Sequence, residues 1–211
     1  MDYLGFFTTA FTTIFVIVDP PGNIPMFIAV TEILSEKERD RISKKATFIA
    51  AALLIVVAVT GGSLLEFFKI TVDSLKIAGG ILLFAVSVDI LMGSRRREVY
   101  VEKSKKSIDI DSLAVFPIAL PLYSGPGAIT AAIVLYSSAE TPQLKLLVIL
   151  SIVLTYIIVR LTHVYSSQII RILGKSGSDI VARLMAIFLA AIAVEYFFSG
   201  LEGKLSSLGL R

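Results

Sequence analysis

The sequence predicts an all-α membrane protein: six transmembrane helices in two inverted-topology three-helix repeats, with helices 1 and 4 broken near the membrane midplane. Three observations predict it. Of the 211 residues, 55% are hydrophobic and 18% charged, and the mean hydropathy is +0.84, whereas a soluble domain carries about a quarter charged residues. Uncharged runs such as 46–65 and 112–139 reach the roughly 20 apolar residues that cross a bilayer. Finally, Asp19-Pro20-Pro21-Gly22-Asn23-Ile24-Pro25 interrupts the first apolar run, and a second proline-glycine stretch recurs about 105 residues later.

Helix 1 is expected over 4–34, interrupted at 19–25. Proline lacks the amide hydrogen and clashes with the preceding turn, and the residue before a proline is pushed out of the α region. Within hydrocarbon such irregular backbone is tolerated only where protein or a cavity surrounds it. A charged loop, 35–45, precedes helix 2 at 46–67, and helix 3 follows at 75–92 after a short link. The basic stretch 94–111, with Arg95, Arg96 and Arg97, is the one linker; it separates a first repeat, 1–93, from a second, 112–211, within one integrated domain. Helix 4, 112–139, is broken at Pro117 and again across Pro121-Leu122-Tyr123-Ser124-Gly125-Pro126-Gly127. Helix 5 is expected over 143–165, a polar loop over 166–179, helix 6 over 180–199 and a surface tail over 200–211.

The repeat rests on a few alignments. At one offset Pro21-Gly22-Asn23-Ile24 falls on Pro126-Gly127-Ala128-Ile129, and Asp19 falls on Ser124. One residue further, Asp89 falls on Glu195 and Leu83 on Leu189. Because each copy holds an odd number of helices, the second enters from the opposite side. Paired interruptions in matching positions of two halves point to a transporter's binding site.

Basic residues set the orientation. Lys37, Arg39, Arg41, Lys44 and Lys45, the 94–111 stretch with Lys103, Lys105 and Lys106, and Arg171, Lys175 and Arg183 fall after helices 1, 3 and 5. The other side holds Lys69, Lys76, Lys145, Lys204 and Arg211. Both termini are therefore expected outside a plasma or inner cell membrane. Met1-Asp2-Tyr3 lacks a basic leader, so helix 1 reads as retained rather than cleaved. The absence of cysteine excludes disulfides and thiolate metal sites. The net charge of +3 fits basic loops against a membrane better than nucleic acid. No metal or cofactor is expected; His163, the sole histidine, reads as an interfacial polar residue beside Arg160.

A half-helix starting within the membrane offers free N–H groups to an anion, and one that ends there offers carbonyls to a cation. The candidate substrate-binding residues are Asp19, Pro20, Pro21, Gly22, Asn23, Ser124, Gly125, Pro126, Gly127 and Thr130. The glycines admit a ligand close to the backbone; Asn23, Ser124 and Thr130 add hydrogen bonds. Asp19 caps the second half-helix or meets an ammonium group, and Asp19, Asp89 and Glu195 are candidates for ion or proton coupling. Ala46 and Ala50, and Ala182, Ala186 and Ala190, read as close-packing faces.

Across Val18-Asp19-Pro20-Pro21-Gly22-Asn23-Ile24-Pro25-Met26-Phe27 and 117–130 the chain resembles the MarC family of integral membrane proteins. The resemblance covers essentially the whole chain. It implies six transmembrane helices, two inverted repeats and transport of small neutral amino acids such as glycine and alanine. Pro21 stands where the resemblance implies a more variable residue, and Tyr123-Ser124 where alanine-type residues are common. The function expected is secondary transport by alternating access, coupled to H+ or Na+, with membrane lipids as the other partner. The alternative is a channel or small-ion exporter. An intramembrane enzyme is disfavoured because no Gly-x-Gly-Asp motif occurs, the Gly-x-Ser-Gly at Gly174-Lys175-Ser176-Gly177 falls in the expected polar loop, and no Walker A sequence is present.

Overall fold

The computed structural model describes residues 2–31, 34–92 and 110–209. The basic linker with Arg95–Arg97 therefore lies outside the described residues, apart from its last two. Helix α1 (Tyr3–Val18) begins under Asp2, whose side chain accepts the Gly5 N–H, and ends at Asp19. After a turn comes the short α2 (Ile24–Val30). Then follow α3 (Glu36–Phe67) and α4 (Val72–Leu91). A single turn, α5 (Ile110–Leu113), leads into an irregular segment, Ala114–Tyr123, and α6 (Pro126–Ser137). Helix α7 (Pro142–Val164) and helix α8 (Ser166–Ser207), which bends at Gly174, complete the chain. No strand occurs among the described residues.

Two stretches expected as loops are helical. Helix α3 begins at Glu36, not at 46, because Ser35 and Glu38 form a reciprocal capping box and Asp40 pairs with Lys44 one turn on. Likewise α8 covers the whole of 166–179, bending at Gly174, and runs through most of the expected tail to Ser207. Hydropathy marks where a helix enters lipid, not where it starts.

Four helices are long and apolar enough to cross a membrane among the described residues: α3, α4, α7 and the Asp179–Ser207 part of α8. Helices α1 and α6 are apolar but shorter. At 1.5 Å per residue the 16 residues of α1 reach about 24 Å, short of the ~30 Å hydrocarbon core.

Helix α3 packs against α6, α7 and the irregular segment, and α1 packs against α7. One face of α3 makes this possible: Ala46, Ala50, Leu54 and Ala58, four residues apart, are fully buried. They join Ile14, Phe27, Ile118, Tyr123, Ile152 and Val159 in the larger core. Helices α4 and α8 form the other close pair. There a Cβ on Gly80 would stand 2.6 Å from the Ala193 carbonyl oxygen and 2.9 Å from the Phe197 nitrogen, so only glycine lets the backbones meet. Leu83, Leu189 and Ala193 fill the smaller core beside Val16 of α1.

Candidate functional site

The chain between α1 and α2 is held by its own side chains. Asp19 adopts φ 49°, ψ 62°, a left-handed conformation that aspartate tolerates better than most residues. Its Oδ1 accepts the Gly22 N–H at 3.0 Å, closing the turn around Pro20 and Pro21. The Asn23 amide donates to the Val18 carbonyl at 2.9 Å, satisfying an acceptor at the end of α1. Asn23 N–H bonds the Asp19 carbonyl. Part of the polarity here is thus spent on the backbone itself.

The second stretch is built differently. Phe116 (φ −131°, ψ 125°) and Leu120 (φ −125°, ψ 127°) are extended; each precedes a proline, whose ring excludes the α region there. The Ser124 N–H reaches five residues back to the Ala119 carbonyl at 3.0 Å. Helix α6 then starts with Gly125 in the cap position, and no side chain caps its first N–H groups.

Both stretches meet at one cavity of about 450 Å³. Asp19, Gly22 and Asn23 line it from the first, and Tyr123, Gly125, Pro126, Gly127 and Ala128 from the second. Leu83, Val86, Asp89 and Ile90 of α4 close one wall. Asp179, Ala182, Arg183, Ala186 and Leu189 of α8 close another. Three carboxylates and one guanidinium thus share the lining.

The sequence-derived candidates divide accordingly. Asp19, Gly22, Asn23, Gly125, Pro126, Gly127 and Asp89 reach the cavity; Pro20, Pro21, Ser124, Thr130 and Glu195 are not part of its lining. Pro20 and Pro21 shape the turn. Ser124 is fully buried behind the wall, its hydroxyl donating to the Ala50 carbonyl at 3.1 Å. Thr130 packs on α4, where a Cβ on Gly79 would stand 2.1 Å from its methyl carbon. Glu195 is exposed on α8. Of the alanines expected to pack, Ala46, Ala50 and Ala186 are buried, while Ala182 faces the cavity.

Behind Tyr123 lies a polar cluster that the sequence did not announce. Its phenol sits 2.7 Å from His163 Nε2, and His163 Nδ1 sits 2.9 Å from Ser43 Oγ. The imidazole lies flat on Phe27 of α2, centroids 3.7 Å apart. The Tyr156 hydroxyl donates to the Tyr123 carbonyl at 2.8 Å and stands 2.9 Å from Ser124 Oγ. Arg160 donates to Ser43 Oγ at 2.9 Å and also bonds Asp40. His163, in the last turn of α7, is 3% exposed and is held by partners from three elements, Ser43, Tyr123 and Phe27. Nothing local in the sequence marks these partners, since a tyrosine or serine on an apolar helix reads as ordinary packing.

Four helices long and apolar enough to span a membrane, with no strand among the described residues, define a polytopic all-helical integral membrane protein. Residues 4–205 match the MarC family integral membrane protein pattern, and the chain belongs to that family. It is similar to a UPF0056 membrane protein of Archaeoglobus fulgidus, 61% identical over 208 residues, covering 99% of this chain and 98% of the relative. A Methanocaldococcus jannaschii UPF0056 membrane protein is 39% identical over 202 residues, covering 96% and 98%. One of Pyrococcus abyssi is 30% identical over 203 residues, again covering 96% and 98%. No solved structure matches the chain.

Proposed function

We propose that the protein is a secondary transporter of small neutral amino acids, glycine or alanine in type, working by alternating access at this cavity. The observation that carries the reading is the meeting of two proline-glycine interruptions at one cavity. The uncapped start of α6 offers N–H groups to a carboxylate. Asp19 and Asp89 bring negative charge for an ammonium group. A zwitterion uses both, and the excess of carboxylates gives a co-transported H+ or Na+ its place. Gly22, Gly125 and Gly127 bring main chain to the ligand; Asn23 adds a side-chain contact. Ser124 and Thr130 support the wall.

The finer topology belongs to the same reading. Six crossings arise if α1 with α2, and the 114–137 stretch, each count as one interrupted span. The packing pairs then exchange under an inverted repeat: span 1 lies on span 5 as span 4 lies on span 2, and spans 3 and 6 lie on each other. The basic loops face the cytoplasm, both termini face outward, and the membrane is the cell's own. Lipid covers the apolar exterior.

The test is uptake of radiolabelled glycine and alanine into proteoliposomes. The reading expects saturable, gradient-dependent uptake that a bulky residue at Asn23 abolishes. Flux rising linearly with concentration favours a channel, and no flux of any small solute refutes both.

A further inference from the structure

Helices α4 and α8 line the cavity with one half of their length and are pressed together over the other. Resting on the transport reading above and its inverted repeat, we propose that the outward-facing form of this site opens between the outer halves of α4 and α8. Asp73, Ile77 and Gly80 line it on one side, Ile192 and Tyr196 on the other.

The two helices run antiparallel. Along α8 the lining grades from buried Leu189 and Ala186, through half-buried Met185 and Ala182, to exposed Arg183 and Asp179. Along α4 it grades from buried Leu83 to half-buried Val86, Asp89 and Ile90. The mouth therefore lies where α4 ends, beside the basic stretch that the reading above places in the cytoplasm. On the other side of Leu83 the pair is shut. Gly80 touches the α8 backbone, and a Cβ on Gly200 would stand 2.6 Å from the Asp73 carbonyl oxygen and 2.9 Å from Ile77 Cγ1. A Cβ on Gly203 would meet the Asp73 carboxylate. Lys76 Nζ donates to Ser199 Oγ across the seam at 3.2 Å. Contact this close leaves a solute no passage.

The repeat relates the shut half to the open one. At the offset that sets Leu83 on Leu189, Asp73 falls on Asp179, Ile77 on Arg183 and Gly80 on Ala186. Val86 and Ile90 likewise fall on Ile192 and Tyr196. Asp179, Arg183, Ala186, Val86 and Ile90 line the cavity, and none of their five counterparts does. When two inverted copies exchange conformations, the inner halves close and the outer halves part. Tyr196 fits such an exchange. Its hydroxyl is buried without a hydrogen-bond partner among the described residues, and the side chain packs on the core of Leu83, Leu189 and Ala193. An orphaned buried hydroxyl calls for an explanation; water reaches it once the seam parts. Polar links across the seam are few: the Lys76–Ser199 hydrogen bond, with the Lys76–Asp73 pair beside it at 4.0 Å. A partly exposed pair of that kind adds little, so opening has mainly packing to undo.

The chain holds no cysteine, so introduced thiols report alone. In the full chain carrying K76C and S199C, a short bifunctional thiosulfonate joins α4 to α8 across the seam, and a reductant releases it. Alanine uptake into proteoliposomes should fall about tenfold or more on linking and return on reduction. Alanine should still raise the unfolding temperature of the linked protein, because the inner mouth is untouched. A membrane-impermeant maleimide gives a second measure that needs no uptake. Ala182→Cys should react about tenfold faster in inverted vesicles than in right-side-out ones, and Ile77→Cys the reverse. Uptake by the linked protein within about twofold of its reduced form overturns the proposal. So does loss of alanine's stabilisation together with uptake, which marks a structural role for the seam, or faster labelling of Ala182→Cys from the outside. Absence of alanine uptake in the wild type refutes the transport reading instead.

Discussion

Gly127→Ala places a Cβ 2.2 Å from Leu83 Cδ2 and 3.6 Å from Ile17 Cγ2. Carbon atoms rest at about 3.5–4.0 Å, so the leucine must retreat by more than an ångström. Leu83 is 1% exposed and packed in the smaller core, and it also lines the cavity. Overpacking of this kind costs about 1–3 kcal/mol. Leu83→Ala alone removes a buried side chain at about 2–5 kcal/mol, toward the low end because the site already borders a void. In the double variant the added methyl occupies room the leucine vacated. It should therefore cost no more than Leu83→Ala alone, a coupling of about 1–3 kcal/mol. Unfolding midpoints of the detergent-solubilised protein in graded SDS measure all three variants. Costs that add to within about 0.5 kcal/mol would refute the packing argument.

The other predictions concern single positions. Asp19→Asn keeps an acceptor for the Gly22 N–H and tolerates the left-handed backbone, so stability should hold within about 0.5 kcal/mol while alanine uptake falls about tenfold; Asp19→Ala should also lose about 1–2 kcal/mol. Gly80→Val meets backbone atoms of α8 rather than a side chain that can move, and should cost about 3 kcal/mol, seen as a lowered SDS midpoint. Tyr156→Phe removes the donor to the Tyr123 carbonyl and should cost about 1 kcal/mol by the same assay. Ser35→Ala opens the capping box of α3, at about 1 kcal/mol.

The all-helical membrane class was legible because burial in lipid imposes itself on composition and run length, and α3, α4, α7 and α8 carry that signature. The family was legible because proline and glycine leave a local imprint: Phe116 and Leu120 are extended for a reason written one residue ahead of each. The charged starts of helices were not, since Glu36 to Lys45 looks like a loop until the capping box is weighed. Of the candidate site, the residues whose backbone forms the turns could be read from sequence. Leu83, Asp179 and Arg183 reach the cavity only through the folding of α4 and α8 around it. The His163 cluster escaped for the same reason: Ser43 and Tyr123 lie 120 and 40 positions away in the chain.

Gly22, Gly125 and Gly127 present no side chain to the cavity they line, so whatever they contribute to recognition comes from peptide atoms. Mutational scanning deletes side chains and would pass over such a contribution, reporting steric intrusion where it reports anything. Replacing the amide of Ala128 with an ester through semisynthesis would remove one donor and leave the shape untouched. A protein recognising its solute this way can exchange most of its amino acids over time and still keep the same ligand.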